Sequence, residues 1–336
     1  MARLLPRVLL ISTGGTITMT PGSGPGIVPT LTGEDLVRAV PELANVANLD
    51  VVSYSTKPGA SLTLDDLVAI AALIDLRMQE DFAGAIVVQG TDTIEETAFV
   101  LDLLVVSNRP VVVTGAMRGA GAPGADGPAN LLAAAVVAGT AQFADLGTLV
   151  VLNDEIHAAR FVRKTHTSLP SAFTSPGFAP IGRVIEGQAQ CLARLPRLPA
   201  LVRPASTAES AVALIRPFLG DDGRLLDALP GLGYRGVVIE AMGAGHLPAA
   251  FCEKVSRLAG LMPVVLATRV AAGSVFERTY AFPGSETDLI ARGATPAGDI
   301  AGNKTALLLR LLLAGGMGME DVKTQFTTRS RMLSTH

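Results

Sequence analysis

Two threonines in this chain stand where a hydroxyl could do chemistry. Thr16 ends a glycine-rich turn after one apolar run, and Thr91 follows a glycine after another. A threonine hydroxyl attacks a carbonyl carbon only when a base accepts its proton or its pKa is lowered. Asp92 is the neighbour of Thr91, and Lys164 lies in a polar stretch farther along the chain. A lysine shielded from water can become a neutral amine and act as that base.

Each of these residues also has a purely structural interpretation. Thr16 could cap the next element, and Thr91 with Asp92 could form a turn. Lys164 could be a solvated cation among the charges of its own stretch. Taken singly, these interpretations are the more common ones, except at Thr16. Taken together, two threonines, a carboxylate and a lysine favour a site for carbonyl chemistry.

The segments before the two threonines read as buried strands. Residues 8–11 and 84–88 are short apolar runs, each followed by a glycine-rich turn. Strand-like and helix-like runs alternate through the first 185 residues, which predicts βαβ units and a parallel sheet. Ligands of such sheets bind at the carboxyl ends of the strands. Residues 153–182 show no period, and we expect a long functional loop there.

The length of the chain favours two domains. Three prolines between residues 195 and 207 predict a stiff, exposed connector. We therefore expect an amino-terminal α/β catalytic domain over residues 1–195, a linker over 196–210, and a smaller α/β domain over 211–336.

Composition excludes several classes of partner. The net charge is −3 and tryptophan is absent, so neither a basic surface nor a base-stacking platform for nucleic acid is indicated. The two cysteines are far apart, and no spacing of cysteines or carboxylates completes a metal site with His157 and His166. Asp154, Glu155 and His157 could bind a cation, but a polar active-site loop is the favoured interpretation. No apolar run is long enough for a membrane span or a signal peptide. We expect no metal, no organic cofactor, no membrane partner, and a cytoplasmic location.

The chain resembles the bacterial-type L-asparaginases, a family of two-domain threonine amidohydrolases, over essentially its full length. The resemblance rests on the following segments: STGGTI (12–17), QGTDTIEETA (89–98), TGAMR (114–118), DGPANL (126–131) and RKT (163–165). It implies a larger amino-terminal parallel-sheet domain and a smaller carboxyl-terminal α/β domain. It also implies hydrolysis of the side-chain amide of L-asparagine to L-aspartate and ammonia, as in asparagine catabolism.

The resemblance assigns roles to residues of the catalytic centre. Thr16 would be the nucleophile or the residue that positions the attack, and Lys164 would activate Thr91. Asp92 would hold the α-amino group of the substrate. The backbone of Ala116 would contact the side-chain amide.

The same resemblance implies further contacts and a quaternary structure. Gly90 and Ser61 would contribute to substrate binding. Members of the family assemble as a homotetramer of two intimate dimers, and a carboxylate from the partner subunit completes each site. Glu286 stands at the matching position.

The chain departs from the family pattern at three places. Residues 18–31 contain no tyrosine, although the family has one in this loop. The family's substrate-binding serine is normally followed by a polar or acidic residue, whereas residues 57–63 offer only Ser61, two positions off and followed by leucine. His246 stands where the family often has asparagine. These departures keep other functions open: a glutaminase-asparaginase, an amidase that tolerates D-amino acids, or a non-catalytic amino-acid sensor.

Overall fold

The computed structural model describes residues 4–21, 27–29 and 31–334. The chain divides into two compact units, residues 1–200 and residues 201–336.

Within the described part of the first unit, the helices are short and the strands are numerous. The helices are α1 (Gly33–Arg38), α2 (Leu64–Arg77), α3 (Ile94–Leu104) and α4 (Gly127–Ala138). The strands are β1 (Arg7–Ser12), β2 (Met19–Pro21), β3 (Ile27–Pro29), β4 (Asn48–Ser53), β5 (Gly84–Val88), β6 (Val111–Thr114), β7 (Thr148–Leu152), β8 (Glu155–Ala158), β9 (Arg163–Lys164), β10 (Phe173–Thr174), β11 (Gly182–Ile185) and β12 (Gln188–Cys191).

The main sheet of the first unit has eight described strands in the order β12-β11-β8-β7-β6-β5-β1-β4. The five strands β7-β6-β5-β1-β4 are parallel to one another, as the alternation of the sequence predicted. From β1 the chain first forms β4 on one side, and it then forms β5, β6 and β7 in turn on the other side. The connections on the two sides of β1 therefore run in opposite directions. Such a switch point leaves a crevice at the carboxyl ends of the two strands, here β1 and β5, and ligands bind in crevices of this kind.

Local sequence explains where the first helices begin. Thr32 and Thr63 each accept a hydrogen bond from the backbone N–H three residues later, and the aspartate at that position bonds back. These are capping boxes, and their Thr-x-x-Asp pattern is local to the sequence. The central strands are apolar on both faces, and every residue of β5 is buried, as expected where both faces of a parallel sheet are covered.

The expected long loop at residues 153–182 was wrong, because this stretch contains strands. Asn153 and Asp154 have φ values of 52° and 59°, which suit the two central positions of a tight hairpin turn. That turn folds β8 back antiparallel to β7, and β11 and β12 then extend the sheet. His157 on β8 is fully buried, and burial lowers its pKa to about 4. It is therefore a neutral core residue at neutral pH.

The second unit is a smaller α/β body. Its described strands, β13 (Val212–Ile215), β14 (Gly236–Ala241), β15 (Val264–Thr268) and β16 (Thr295–Pro296), form one parallel sheet in that order. Its helices are α5 (Arg224–Ala228), α6 (Cys252–Ala259), α7 (Glu286–Ala291), α8 (Gly302–Ala314) and α9 (Met319–Ser334). The core between them is apolar and includes Val237, Phe251 and Leu266. Among the described helices, none has both the length and the apolarity needed to cross a bilayer.

Candidate active site

The switch point of the main sheet places the two threonine-bearing turns side by side. Ser12 at the end of β1 pairs with Val88 at the end of β5. One residue further, the backbone N–H of Thr13 donates to the carbonyl of Val88 at 2.9 Å. The segments that follow β1 and β5 therefore leave the sheet side by side at the same edge.

The turns themselves touch through glycine. Gly15 has a φ of +94°, and a Cβ atom built on it would lie 2.0 Å from the backbone nitrogen of Gly90. No side chain fits between these two backbones. A Cβ atom built on Gly14, whose φ is +106°, would likewise lie 2.7 Å from the carbonyl oxygen of Lys57. Glycine is needed at both positions for conformation and for space.

Two more turns close around Gly90. Gly59, in the short 3₁₀ turn Gly59–Ser61, lies so close that a Cβ on it would be 2.8 Å from the Gly90 carbonyl oxygen. Gly115 follows β6, and its own added Cβ would lie 3.5 Å from the Cγ2 atom of Thr91. Ser61 is exposed at the end of the first of these turns, and Ala116 is fully buried just after the second.

Lys164 is the cation of this site. Its Nζ donates to the Oγ1 of Thr91 at 3.0 Å and forms an ion pair with the Oδ1 of Asp92 at 2.8 Å. Thr91 is 6% exposed, and the lysine side chain is 18% exposed, whereas that of Asp92 is 71% exposed. A shielded hydroxyl thus contacts an amine directly, while a carboxylate beside them stays accessible to a ligand.

The turn that carries Thr91 lies at the amino-terminal end of α3, where the helix dipole favours negative charge. Thr91–Thr93 forms a 3₁₀ turn that continues directly into α3. The amino-terminal end of a helix carries a partial positive charge and N–H groups without helical partners. Negative charge that develops on a carbonyl oxygen near this end would be stabilised.

The sequence did not point to the residues that hold these turns in place. Asp126 accepts hydrogen bonds from the backbone N–H groups of Met117 and Arg118, both at 2.9 Å. Asn130 donates to the carbonyl of Gly115 at 3.0 Å. Both residues lie in the DGPANL segment, so their i, i+4 spacing at a helix start was the available signal. Together they fix the loop that contains Ala116.

A second set of polar contacts joins the turn after β5 to the turn at residue 59. The Nε2 of Gln89 donates to the Oγ1 of Thr93 at 3.1 Å. Thr93 in turn donates to the carbonyl of Gly59 at 3.0 Å. Both residues belong to the QGTDTIEETA segment, and the contact to residue 59 spans 34 positions, so no local pattern reveals it.

Glu286 belongs to the second unit, where it is fully buried at the start of α7. Its Oε1 accepts the backbone N–H groups of Thr279 and Tyr280 at 2.9 and 2.8 Å. Its Oε2 lies 3.3 Å from the Nε2 of His246, whose side chain is 25% exposed. Burial raises the pKa of the Glu286 carboxyl, but these N–H donors and His246 lower it more, and the net shift is downward. Glu286 is thus a stabilised anion.

Thr16, the other predicted catalytic hydroxyl, begins the 3₁₀ turn Thr16–Thr18 directly after Gly15. Its side chain lies outside what the structure describes. The loop without tyrosine is described only in part, as the antiparallel pair β2 and β3.

Fold and site together define a two-unit α/β protein with a threonine–lysine–aspartate group at the switch point of a sheet. Two family descriptions match the chain: Asparaginase, N-terminal, over residues 7–197, and Glutaminase/Asparaginase C-terminal domain, over residues 211–326. The chain therefore belongs to the asparaginase family, whose members hydrolyse amides.

Individual relatives are similar to this chain over nearly its full length. The probable L-asparaginase of Deinococcus radiodurans is 37% identical, covering 96% of this chain and 98% of that protein. The L-asparaginase of Bacillus licheniformis is 31% identical, covering 95% and 98%. The solved structure of a probable cytoplasmic L-asparaginase from Campylobacter jejuni superposes with a TM-score of 0.85 at 28% identity, covering 96% and 99%.

The approach of Gly15 to Gly90 predicts a specific loss of stability. We expect Gly15→Ala to lower the free energy of unfolding by about 2–4 kcal/mol, since it adds both backbone strain and a steric clash. Gly273 is a matched control, because its φ is +95° and nothing lies within 4 Å of an added Cβ. Gly273→Ala should show the strain alone. Equal losses for the two variants in chemical denaturation would contradict the contact.

Proposed function

We propose that this protein is an L-asparagine amidohydrolase that uses threonine hydroxyls with Lys164 as the base, and that neither a metal nor an organic cofactor takes part. The observation that carries the proposal is the 3.0 Å contact between the Lys164 Nζ and the Thr91 Oγ1. Family membership and relatives named L-asparaginase at 31% and 37% identity support the same activity.

The reaction follows from this arrangement. In its neutral form the Lys164 amine accepts the proton of the Thr91 hydroxyl while the Thr91 oxygen attacks the side-chain amide carbon, which leaves Lys164 as an ammonium that can protonate the leaving nitrogen. The amide oxygen becomes an oxyanion near the amino-terminal end of α3. The amide nitrogen then takes up a proton, the C–N bond breaks, and ammonia leaves. Water hydrolyses the resulting threonine ester, which releases L-aspartate and restores the hydroxyl.

Substrate recognition is assigned to the exposed part of the same cluster. Asp92, with most of its carboxylate accessible, would bind the α-ammonium group. The turns at Ser61 and Gly90 would contact the remaining substrate atoms, and the backbone at Ala116 would contact the side-chain amide. L-Glutamine is the alternative substrate, and one methylene in a pocket is worth about 1–3 kcal/mol.

Removing the base should abolish most of the activity. We expect Lys164→Met and Thr91→Val each to lower kcat for ammonia release from L-asparagine by about 10²-fold or more. Lys323→Met is the control, because Lys323 is exposed on α9, and its kcat should match that of the unmodified protein. The same assay measures kcat for the variant Thr16→Ala, and it measures ammonia release from L-glutamine by the unmodified protein. Full activity in Lys164→Met, or ligand binding without any turnover by the unmodified protein, would contradict the proposal.

We further propose that the chain forms a homotetramer and that Glu286 serves the site of a neighbouring subunit. Glu286 is held as an anion beside His246, the more exposed member of the pair, and a substrate with an ammonium group favours such a partner. A cytoplasmic location agrees with the name of the Campylobacter jejuni neighbour and stays a prediction, which cell fractionation tests.

Mixed oligomers test the role of Glu286. Glu286→Gln and Lys164→Met should each be poorly active alone. Co-expressed, they should regain activity, because some sites then combine an intact Lys164 from one subunit with an intact Glu286 from another. Activity no higher than the mean of the two variants, in oligomers shown by mass to be mixed, would place Glu286 outside the site.

A further inference from the structure

Lys164 is not held by the main sheet. It lies on the two-residue strand β9, which pairs with β10 in a separate two-stranded sheet. The ladder of the main sheet therefore cannot fix the distance between the lysine and Thr91. Another contact must do so, because proton transfer needs the two heavy atoms within hydrogen-bond reach.

Lys164 is attached at two points to one continuous element. At its side-chain end the Nζ contacts Thr91 and Asp92. At its backbone end the N–H donates to the Oε2 of Glu95 at 3.0 Å. Glu95 lies in the first turn of α3, which follows directly from the turn that carries Thr91.

The helix that carries Glu95 and follows directly from the Thr91 turn is anchored in the core. From Thr97 to Leu104 every residue of α3 is buried, so the helix cannot shift without disturbing the core. The backbone of Lys164 and its target hydroxyl thus share one frame. A carboxylate is also a stronger acceptor for a backbone N–H than a neutral carbonyl group.

We propose that Glu95 is the positioning residue for Lys164, which holds the lysine backbone so that its amine reaches Thr91. This inference rests on the proposed amidohydrolase function. A general preference for acids in the first turn of a helix would not require the carboxylate to contact residue 164, which is 69 positions away.

Kinetics of two substitutions separate positioning from a structural role. We expect Glu95→Ala to lower kcat for L-asparagine by about 10–100-fold, the usual range for residues that orient a reacting group, with KM nearly unchanged. Glu95→Gln keeps an oxygen acceptor in place and should recover most of kcat. Glu320→Ala removes an exposed first-turn acid from α9, and its kcat should not change. An unchanged kcat in Glu95→Ala, or a fall confined to KM, would overturn the proposal.

A second measurement does not require activity. Acetylation of Lys164 by acetic anhydride, followed by mass spectrometry with the exposed Lys323 as the internal reference, reports how well the amine is held. In Glu95→Ala the relative rate at Lys164 should rise several-fold, and in Glu95→Gln it should stay near the original rate. An equal rate in all three proteins overturns the role of Glu95. A rise in labelling in a protein that hydrolyses no amide would instead show that the positioning is right and the proposed function is wrong.

Discussion

The backbones of Gly15 and Gly90 meet with no side chain between them, and this approach determines where the neighbouring turns can lie. Because β1 and β5 are adjacent parallel strands, their carboxyl ends open at one edge. Gly59 and Gly115 then pack against the same short stretch around Gly90 and Thr91. Close-packed backbone thus forms the base of the candidate site, from which the proposed catalytic side chains extend.

The proposed chemistry draws on residues from two separate elements of the first unit. Thr91 and Asp92 belong to a turn that leads into a buried helix. Lys164 comes from a small hairpin outside the main sheet. In the proposed mechanism the Thr91–Lys164 pair requires a link between these two elements, and we propose that the contact of the Lys164 backbone with Glu95 provides it.

Much of this arrangement could be predicted from the sequence. Apolar runs located the central parallel strands, and the capping boxes at Thr32 and Thr63 are short local patterns at two helix starts. The pairing of a glycine turn with a threonine at two strand ends pointed to the edge of the sheet at which Thr91 contacts Lys164. Each of these features depends on residues that are close in sequence, so a short sequence pattern is enough to predict it.

What could not be predicted is non-local. A two-residue strand such as β9 has no period, and the contact of Glu95 with Lys164 joins segments 69 positions apart. The hairpin at Asn153 and Asp154 depends on positive φ at both residues, a conformation that these residue types tolerate but do not require. The supporting roles of Asp126 and Asn130 depend on a loop whose path only the folded chain defines.

A crystal structure with bound L-aspartate is the most direct test of the central claim, which is that Thr91 and Lys164 face one amide carbon. The side-chain carboxyl carbon of the product should lie about 3–3.5 Å from the Thr91 Oγ1, with the Lys164 Nζ still within hydrogen-bond distance of that oxygen. L-Aspartate bound away from the four glycine turns, or a Lys164 amine turned into solvent beside an occupied site, would contradict the account.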